Sequence, residues 1–185
     1  MALAFAVLAI APASAQITAQ ARSAPTPAWD KGILPIGQES YWNAVECGKQ
    51  GGQDPPCVFW DTGLCKNDDF TLAMYTPYKM VAYEVWTAVR QKKAPPTPSY
   101  QQAQRTRITV GITPVRGSKN PLKELVLKRA GKVVPPVSKD GAASDARYTF
   151  DYAAFAATAD ITFDLVGATR TISCAIEQSV LKQFR

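Results

Sequence analysis

The strongest constraint on the fold is a two-residue alternation of apolar and small polar side chains that begins at Ile108. The pattern recurs around residues 125–133, 148–152 and 161–176. Because successive side chains of a strand point to opposite faces, this period predicts five or six short strands with one buried face. Turn residues at Ala130-Gly131 and at Gly167 predict hairpins between them. The region therefore favours an antiparallel sandwich or a small barrel.

The half of the chain before these strands follows a helical period. Thr76 caps one predicted helix, which has Pro77 at its first position and ends near Gln91. Ser40 caps a shorter predicted helix that ends at Gly48. The fold class is therefore α+β: an antiparallel β-sandwich in the C-terminal half, packed with a helical, disulfide-stapled N-terminal half. In strand number and spacing the β half resembles an immunoglobulin domain, a likeness that implies a sandwich and no particular function.

Composition divides the chain into successive regions. The stretch that ends in Ala13-Ser14-Ala15 is apolar and uncharged, which predicts a signal peptide cleaved between Ala15 and Gln16, and hence a periplasmic or secreted protein. No later stretch is long and apolar enough to predict a transmembrane segment. The regions are a signal peptide (1–15), a flexible lead segment (16–28), an aromatic-rich helical and cysteine-loop region (29–91), a proline-rich spacer (92–100) and the β region with a short C-terminal helix (101–185). We expect 29–185 to form one structural unit.

The cysteines fit an exported protein. They number four, and an even count in an oxidising compartment predicts two disulfides. Three connectivities are open. The preferred one joins Cys47 to Cys57 and Cys65 to Cys174, and a Cys57–Cys65 bond across the turn at 61–63 is nearly as good.

The chain contains no histidine, which removes the commonest general base and metal ligand. The cysteine spacings fit neither a zinc site nor a CxxC redox motif. A cluster of oxygen ligands, Asp61 and Asn67 to Asp69, lacks the order of a calcium loop and is typical of turn capping. Ser179 and Lys182 have Ser-x-x-Lys spacing without its partner motifs. We therefore assign no catalytic, cofactor-binding or metal-binding residue.

Positive charge is concentrated in one segment. Residues 90–139 hold twelve basic residues and one acidic residue, a net charge of +11, whereas the chain as a whole carries +6. Such a segment predicts an acidic partner. Single-strand nucleic-acid binders interleave aromatics with their cations, and no aromatic lies between Gln101 and Arg147, so we expect no nucleic acid. The candidate binding residues are Arg90, Lys92, Lys93, Arg105, Arg107, Arg116, Lys119, Lys123, Lys128, Arg129 and Lys132.

These features favour an exported, non-enzymatic binding or accessory subunit. Its basic strip would dock on an acidic protein, an anionic polysaccharide or a membrane surface, as part of a larger envelope assembly. One alternative is a small carboxylate-dependent cell-wall or polysaccharide hydrolase, which needs two acids in one cleft. Another is an inhibitor of an exported hydrolase that acts through the Cys47–Cys65 loop. The sequence leaves open whether the aromatic residues form a core or a binding surface.

Overall fold

The computed structural model describes residues 33–50, 64–65 and 67–184. The predicted signal peptide, the lead segment, Cys57 and most of the Cys47–Cys65 loop lie outside the described residues. The described elements are, in chain order, α1 (Gln38–Lys49), β1 (Phe70–Tyr75), α2 (Pro77–Arg90), α3 (Tyr100–Arg105), β2 (Ile108–Pro114), β3 (Leu122–Arg129), β4 (Lys132–Val134), β5 (Ser138–Asp140), β6 (Ala146–Phe150), β7 (Ile161–Gly167), β8 (Thr171–Ile176) and α4 (Gln178–Leu181).

The eight strands form two antiparallel four-stranded sheets. The strand order is β1-β2-β6-β5 in the first sheet and β4-β3-β7-β8 in the second. The predicted hairpins are confirmed: β3 pairs with β4 across Ala130-Gly131, and β7 pairs with β8 after Gly167. Both turn residues Ala130 and Gly131 have positive φ, the conformation that a tight hairpin turn requires. The α+β class and the antiparallel sheets are therefore as predicted.

The two sheets share one hydrophobic core. The inward residues of the first sheet, such as Val110 and Phe150, belong to the same buried cluster as Leu127 and Phe163 of the second. Across that core the Leu125 N–H donates to the Tyr148 hydroxyl oxygen at 3.1 Å, and both residues are buried. A polar link inside an apolar core fixes the position of one sheet on the other.

Short helical segments close the ends of this core. A 3-10 turn (Tyr152–Phe155) leads from β6 toward β7, and its Phe155 ring packs edge-on against Phe150. After β8, α4 brings Leu181 and Phe184 into the shared cluster, as the apolar stripe near the C-terminus predicts.

The helices α1, α2 and α3 have a second cluster of their own, which includes Tyr41, Val45, Val85 and Ala103. The prediction for α2 is confirmed, because the Lys79 N–H donates to the Thr76 hydroxyl at 3.1 Å and Pro77 occupies the first turn. The prediction for α1 is wrong at both ends.

Helix α1 begins earlier and ends later than its sequence indicates. Its cap is Gly37, so Ser40 lies inside the helix, and so does Gly48. A Cβ at Gly48 would lie 2.5 Å from the Ala82 carbonyl oxygen and 2.7 Å from Val85 Cβ. Gly48 therefore serves the close packing of α1 on α2, and it does not end the helix.

Three further elements are absent from the sequence-based predictions. Strand β1 lies in the region assigned to helices and loops, yet it pairs with β2 along its whole length. Helix α3 occupies the boundary between the spacer and the β region, and the short strand β5 completes the first sheet. Tyr152, expected on a strand, lies in the 3-10 turn.

The preferred disulfide between Cys65 and Cys174 is present. It joins positions 109 residues apart and ties the segment before β1 to β8, the last strand. Cys47 is also disulfide-bonded, and no described cysteine is free. The predicted Cys47–Cys57 bond lies outside the described residues, because Cys57 is not among them.

Candidate docking surface

The structure distributes the eleven predicted basic residues along the molecule. Lys123 and Arg129 stand at opposite ends of β3, six residues or about 20 Å apart. That separation exceeds the screening length of about 8 Å at physiological salt, so the two ends attract a partner independently. The groups are Arg90, Lys92, Lys93, Arg105 and Arg107 around α2 and α3; Arg116 and Lys119 between β2 and β3, with Lys123 at the start of β3; and Lys128, Arg129 and Lys132 at the β3–β4 hairpin.

Among the residues that the structure describes, two of these cations have anionic partners. The Arg107 guanidinium lies 3.0 Å from the Asp151 carboxylate, and the Lys128 ammonium lies 2.6 Å from that of Asp164. The hydrogen bond from Lys128, with a second from Ser173, holds the pKa of Asp164 below its ordinary value. Within the described part of the chain, Lys123 and Lys132 have no anionic partner. These two are therefore available to an acidic partner.

An exposed apolar segment lies beside this group. Lys132–Lys139, which we call the strap, joins β4 at the edge of the second sheet to β5 at the edge of the first. Val133 is 62% exposed and Val137 is 47% exposed, and the two prolines between them are exposed as well. A contiguous exposed apolar stretch of this kind is typical of an interaction surface. The sequence signal is the run Val133–Val137 between Lys132 and Lys139, of which only Val133 falls within the predicted alternating pattern.

The strap is held in place at both ends. At one end Val133 and Val134 pair with Lys128 and Leu127 of β3. At the other end the Val137 N–H donates to the Thr149 carbonyl at 2.7 Å. The Lys139 ammonium donates to the Lys123 carbonyl at 3.4 Å and lies 5.4 Å from the centre of the Tyr148 ring. An apolar surface on a fixed backbone loses little conformational entropy when it binds.

Three of the eleven predicted residues flank the strap, and a fourth, Lys132, is its first residue. Lys128 is the cross-strand neighbour of Val133, and Arg129 pairs with Lys132 at the hairpin. Lys123 is next to the strap because its carbonyl accepts the hydrogen bond from Lys139. The surface formed by the strap with Lys123, Lys128, Arg129 and Lys132, which we call the docking surface, thus has an apolar centre and a cationic rim.

A polar network centred on Asp69 lies where the start of β1 meets the end of β7. The Asp69 carboxylate accepts hydrogen bonds from Arg170 Nε at 2.7 Å, Asn120 Nδ2 at 3.0 Å and the Ser118 hydroxyl at 3.1 Å. The bond from Arg170 is the main cause that lowers the pKa of Asp69. The side-chain Oδ1 of Asn67 accepts hydrogen bonds from the N–H groups of Asp69 and Phe70. Two of the oxygen ligands considered for calcium, those of Asn67 and Asp69, are therefore engaged in the fold, and the described residues contain no cluster suited to a metal.

A cleft of about 700 Å³ lies between helices α2 and α3 and the outer face of the first sheet. Its helical wall carries Tyr83 and Glu84, and its sheet wall carries Tyr75, Asp140 and Arg147. Ser179 and Lys182, the Ser-x-x-Lys pair, are elsewhere, both exposed near the C-terminus. The cleft therefore holds two carboxylates, those of Glu84 and Asp140.

Comparison with protein-family models, with curated proteins and with solved structures finds no match for this chain. The docking surface and the cleft are therefore the features of the chain that bear on its function. Among the helices that the structure describes, none has both the length and the apolar character needed to cross a bilayer.

Proposed function

We propose that this protein is an exported, non-enzymatic binding subunit that docks on an acidic protein through the docking surface. The observation that carries the proposal is the exposure of Val133 and Val137 at the centre of a cationic rim. Specific protein interfaces have this composition, with an apolar core that releases water and a polar rim that fixes orientation. Burying the two valines is worth about 1.5–3 kcal/mol each, before the costs of association.

The rim supports an acidic partner in particular. Lys123 and Lys132 are exposed, and they flank the valines closely enough for a partner that covers the strap to meet them. An acidic protein with an apolar groove satisfies both parts of the surface. An anionic polysaccharide satisfies only the cations, so we place it, with an anionic membrane surface, among the outcomes of the test.

We also infer that the two sheets form an immunoglobulin-like sandwich. When the strands are lettered in chain order with β4 as C′, the sheets become A-B-E-D and C′-C-F-G, the arrangement of that architecture. The chain departs from antibody domains in one respect, since its described disulfide joins the segment before strand A to strand G. In this architecture the strap is the connection between strands C′ and D. A solved structure with a different pairing of the sheets would refute this inference.

Site-specific photo-cross-linking in the native cells tests the docking surface. A photoreactive residue at Val133 is compared with one at Thr71, which is exposed on β1 in the other sheet. We expect cross-links to one acidic protein from position 133 and none from position 71. Equal labelling from both positions, or labelling of lipid or polysaccharide alone, would contradict the proposal.

Binding to the partner so identified is then measured with two pairs of variants. V133S/V137S should weaken binding at least about tenfold, because the apolar centre is lost. Lys132→Glu should weaken binding more than Arg105→Glu, which changes the charge equally but lies by α3, and the difference should vanish at high salt. The export part is tested separately, by N-terminal sequencing that should find Gln16 as the first residue.

The alternative of a carboxylate-dependent hydrolase has one observation in its favour, the presence of Glu84 and Asp140 in one cleft. A glycosidase needs two carboxyl groups at about 5–9.5 Å on either side of the scissile bond. Turnover of a polysaccharide that E84Q and D140N both abolish would establish this function in place of the binding subunit. The inhibitor alternative depends on the Cys47–Cys65 loop, most of which lies outside the described residues.

A further inference from the structure

The strap carries two adjacent prolines, Pro135 and Pro136, and both are exposed. The pyrrolidine ring fixes φ at about −65°, and a residue that precedes a proline is confined to extended conformations. Val134 and Pro135 each precede a proline, so both are held extended by local covalent structure. Since the ends of the strap are tied to β3 and β6, its middle keeps one shape before any partner arrives.

The backbone at the middle of the strap cannot pair with a partner strand. Pro135 and Pro136 have no N–H group, and the Val137 N–H already donates to the Thr149 carbonyl. Three consecutive residues thus offer no donor to the ladder that strand addition requires. In the described part of the chain, the carbonyl groups of Pro135 and Pro136 accept no hydrogen bond. A partner therefore meets proline rings, valine methyl groups and free carbonyl oxygens.

Aromatic side chains fit these three kinds of group together. The flat faces of tryptophan and tyrosine pack on proline rings, and the indole N–H or phenol O–H can donate to a free carbonyl. An aliphatic groove would cover the rings and methyl groups but would leave the carbonyls without a donor. Extended proline-rich segments are bound in aromatic-lined grooves for the same reasons.

Lysines on both sides of the prolines add a requirement for charge. Lys132 lies three residues before Pro135, and Lys139 lies three residues after Pro136. Neither lysine has an anionic partner among the residues that the structure describes. A groove that covers the prolines therefore needs acidic side chains at its rim, where they face the two ammonium groups.

A second pair of adjacent prolines, Pro95 and Pro96 in the spacer, does not share these properties. Pro95 is exposed, but Pro96 is half-buried, and no valine adjoins the pair. The Tyr41 hydroxyl donates to the carbonyl of Pro98, the next proline of the spacer, so this run is partly engaged by the helices. The spacer therefore serves as a matched control for the strap.

We propose that the acidic partner holds the strap in an aromatic-lined groove. Its aromatic faces cover Pro135 and Pro136, and carboxylates at its rim meet Lys132 and Lys139. This rests on the proposed function, because it specifies the groove of the same partner at the same docking surface.

The test uses the isolated protein and the partner that is cross-linked from position 133. NMR follows the ring protons of the prolines as the partner is added. We expect the signals of Pro135 and Pro136 to move upfield, because they come to lie over aromatic faces, and those of Pro95 and Pro96 to stay in place. High salt should weaken binding but leave the upfield shifts of the bound state unchanged, since it screens the lysines and not the ring contacts.

Two double variants measure what the rings contribute. P135A/P136A should weaken binding of the partner at least about tenfold, because it removes both rings and the rigidity that they impose. P95A/P96A removes the other pair of adjacent prolines and should leave binding unchanged. The shift measurement uses the unaltered protein, so it decides the question even where P135A/P136A is destabilised.

The outcomes separate this groove from the proposed function. Failure to cross-link an acidic protein from position 133 overturns the proposed function, and the groove falls with it. A partner that binds without upfield shifts at Pro135 and Pro136 overturns the groove alone. Binding of P135A/P136A as tight as that of the parent protein, or a cross-linked partner segment without aromatic residues, has the same meaning.

Discussion

Replacing Gly167 with alanine should destabilise the fold only while the Asn120 side chain is present, because the added methyl group clashes with that side chain. Asn120 is 2% exposed, and its side-chain amide makes five hydrogen bonds. Its Nδ2 donates to the Asp69 carboxylate and the Arg170 carbonyl, and its Oδ1 accepts from the Thr169 N–H, the Thr169 hydroxyl and the Arg170 N–H. A Cβ at Gly167 would overlap the Asn120 amide, whose atoms are the three nearest to it. Gly167 does not have a positive φ, so the clash is the main cost of alanine there.

The magnitudes follow from the hydrogen bonds. Thr169 and Arg170 are exposed, so their freed N–H groups can bond to water, while Asp69 keeps Arg170 and Ser118 as donors. We therefore expect Asn120→Ala to lower the free energy of unfolding by about 2–3 kcal/mol. Gly167→Ala should cost a similar amount, because it displaces the same amide. The double variant should cost little more than Asn120→Ala alone, which gives a coupling energy of about 2–3 kcal/mol.

Urea unfolding with intact disulfides measures this cycle. A loss of about 2–3 kcal/mol shifts the midpoint by about 1–2 M for a protein of this size. Gly37→Ala is the matched control, since no atom lies within 4 Å of its added Cβ, and its effect should be the same with and without Asn120. Additive costs in the double variant, or a Gly167→Ala variant as stable as the parent, would refute the reasoning.

Three further predictions concern the core, the disulfide and an ion pair. Tyr148→Phe should cost about 1–3 kcal/mol in urea unfolding, because the buried Leu125 N–H loses its acceptor, and a phenylalanine as stable as tyrosine would contradict this. C65S/C174S should cost about 2–5 kcal/mol, because the bond closes a long loop in the unfolded chain, and a smaller change would show that non-covalent packing alone fixes β8. Because hydrogen bonds from Lys128 and Ser173 keep the folded pKa of Asp164 below 3.8, its carboxylate stabilises the fold above that pH, and the contribution is lost as the pH falls through the folded pKa. Asp164→Asn should therefore flatten the acid limb of a stability–pH profile, whereas Asp151→Asn, whose pair with Arg107 is more exposed, should change it less.

The candidate site was predictable from the sequence only in part. The sequence shows that basic residues are concentrated in one segment. How they group on the surface depends on β3, whose length separates Lys123 from Arg129. The strap was missed because valine and proline next to a turn are equally typical of a buried strand, and only the position of β4 at a sheet edge leaves Val133 exposed. Likewise Asp140 on β5 and Glu84 on α2 are 56 positions apart and carry no common motif. Their shared cleft arises from the packing of a helix beside the sheet.

The sequence by itself determined the local elements with strong periodicity: the alternating strands from Ile108 onward, the hairpin at Ala130-Gly131 and the capped helix α2. Those signals come from interactions between near neighbours, and near neighbours are what a linear pattern records. The tertiary structure alone decided the remainder. Strand β1 forms because β2 offers it an unpaired edge, Gly48 stays helical because α2 leaves no room for a side chain, and the docking surface exists because two sheet edges meet at the strap. Each of these depends on contacts between residues distant in the chain, which no local period encodes.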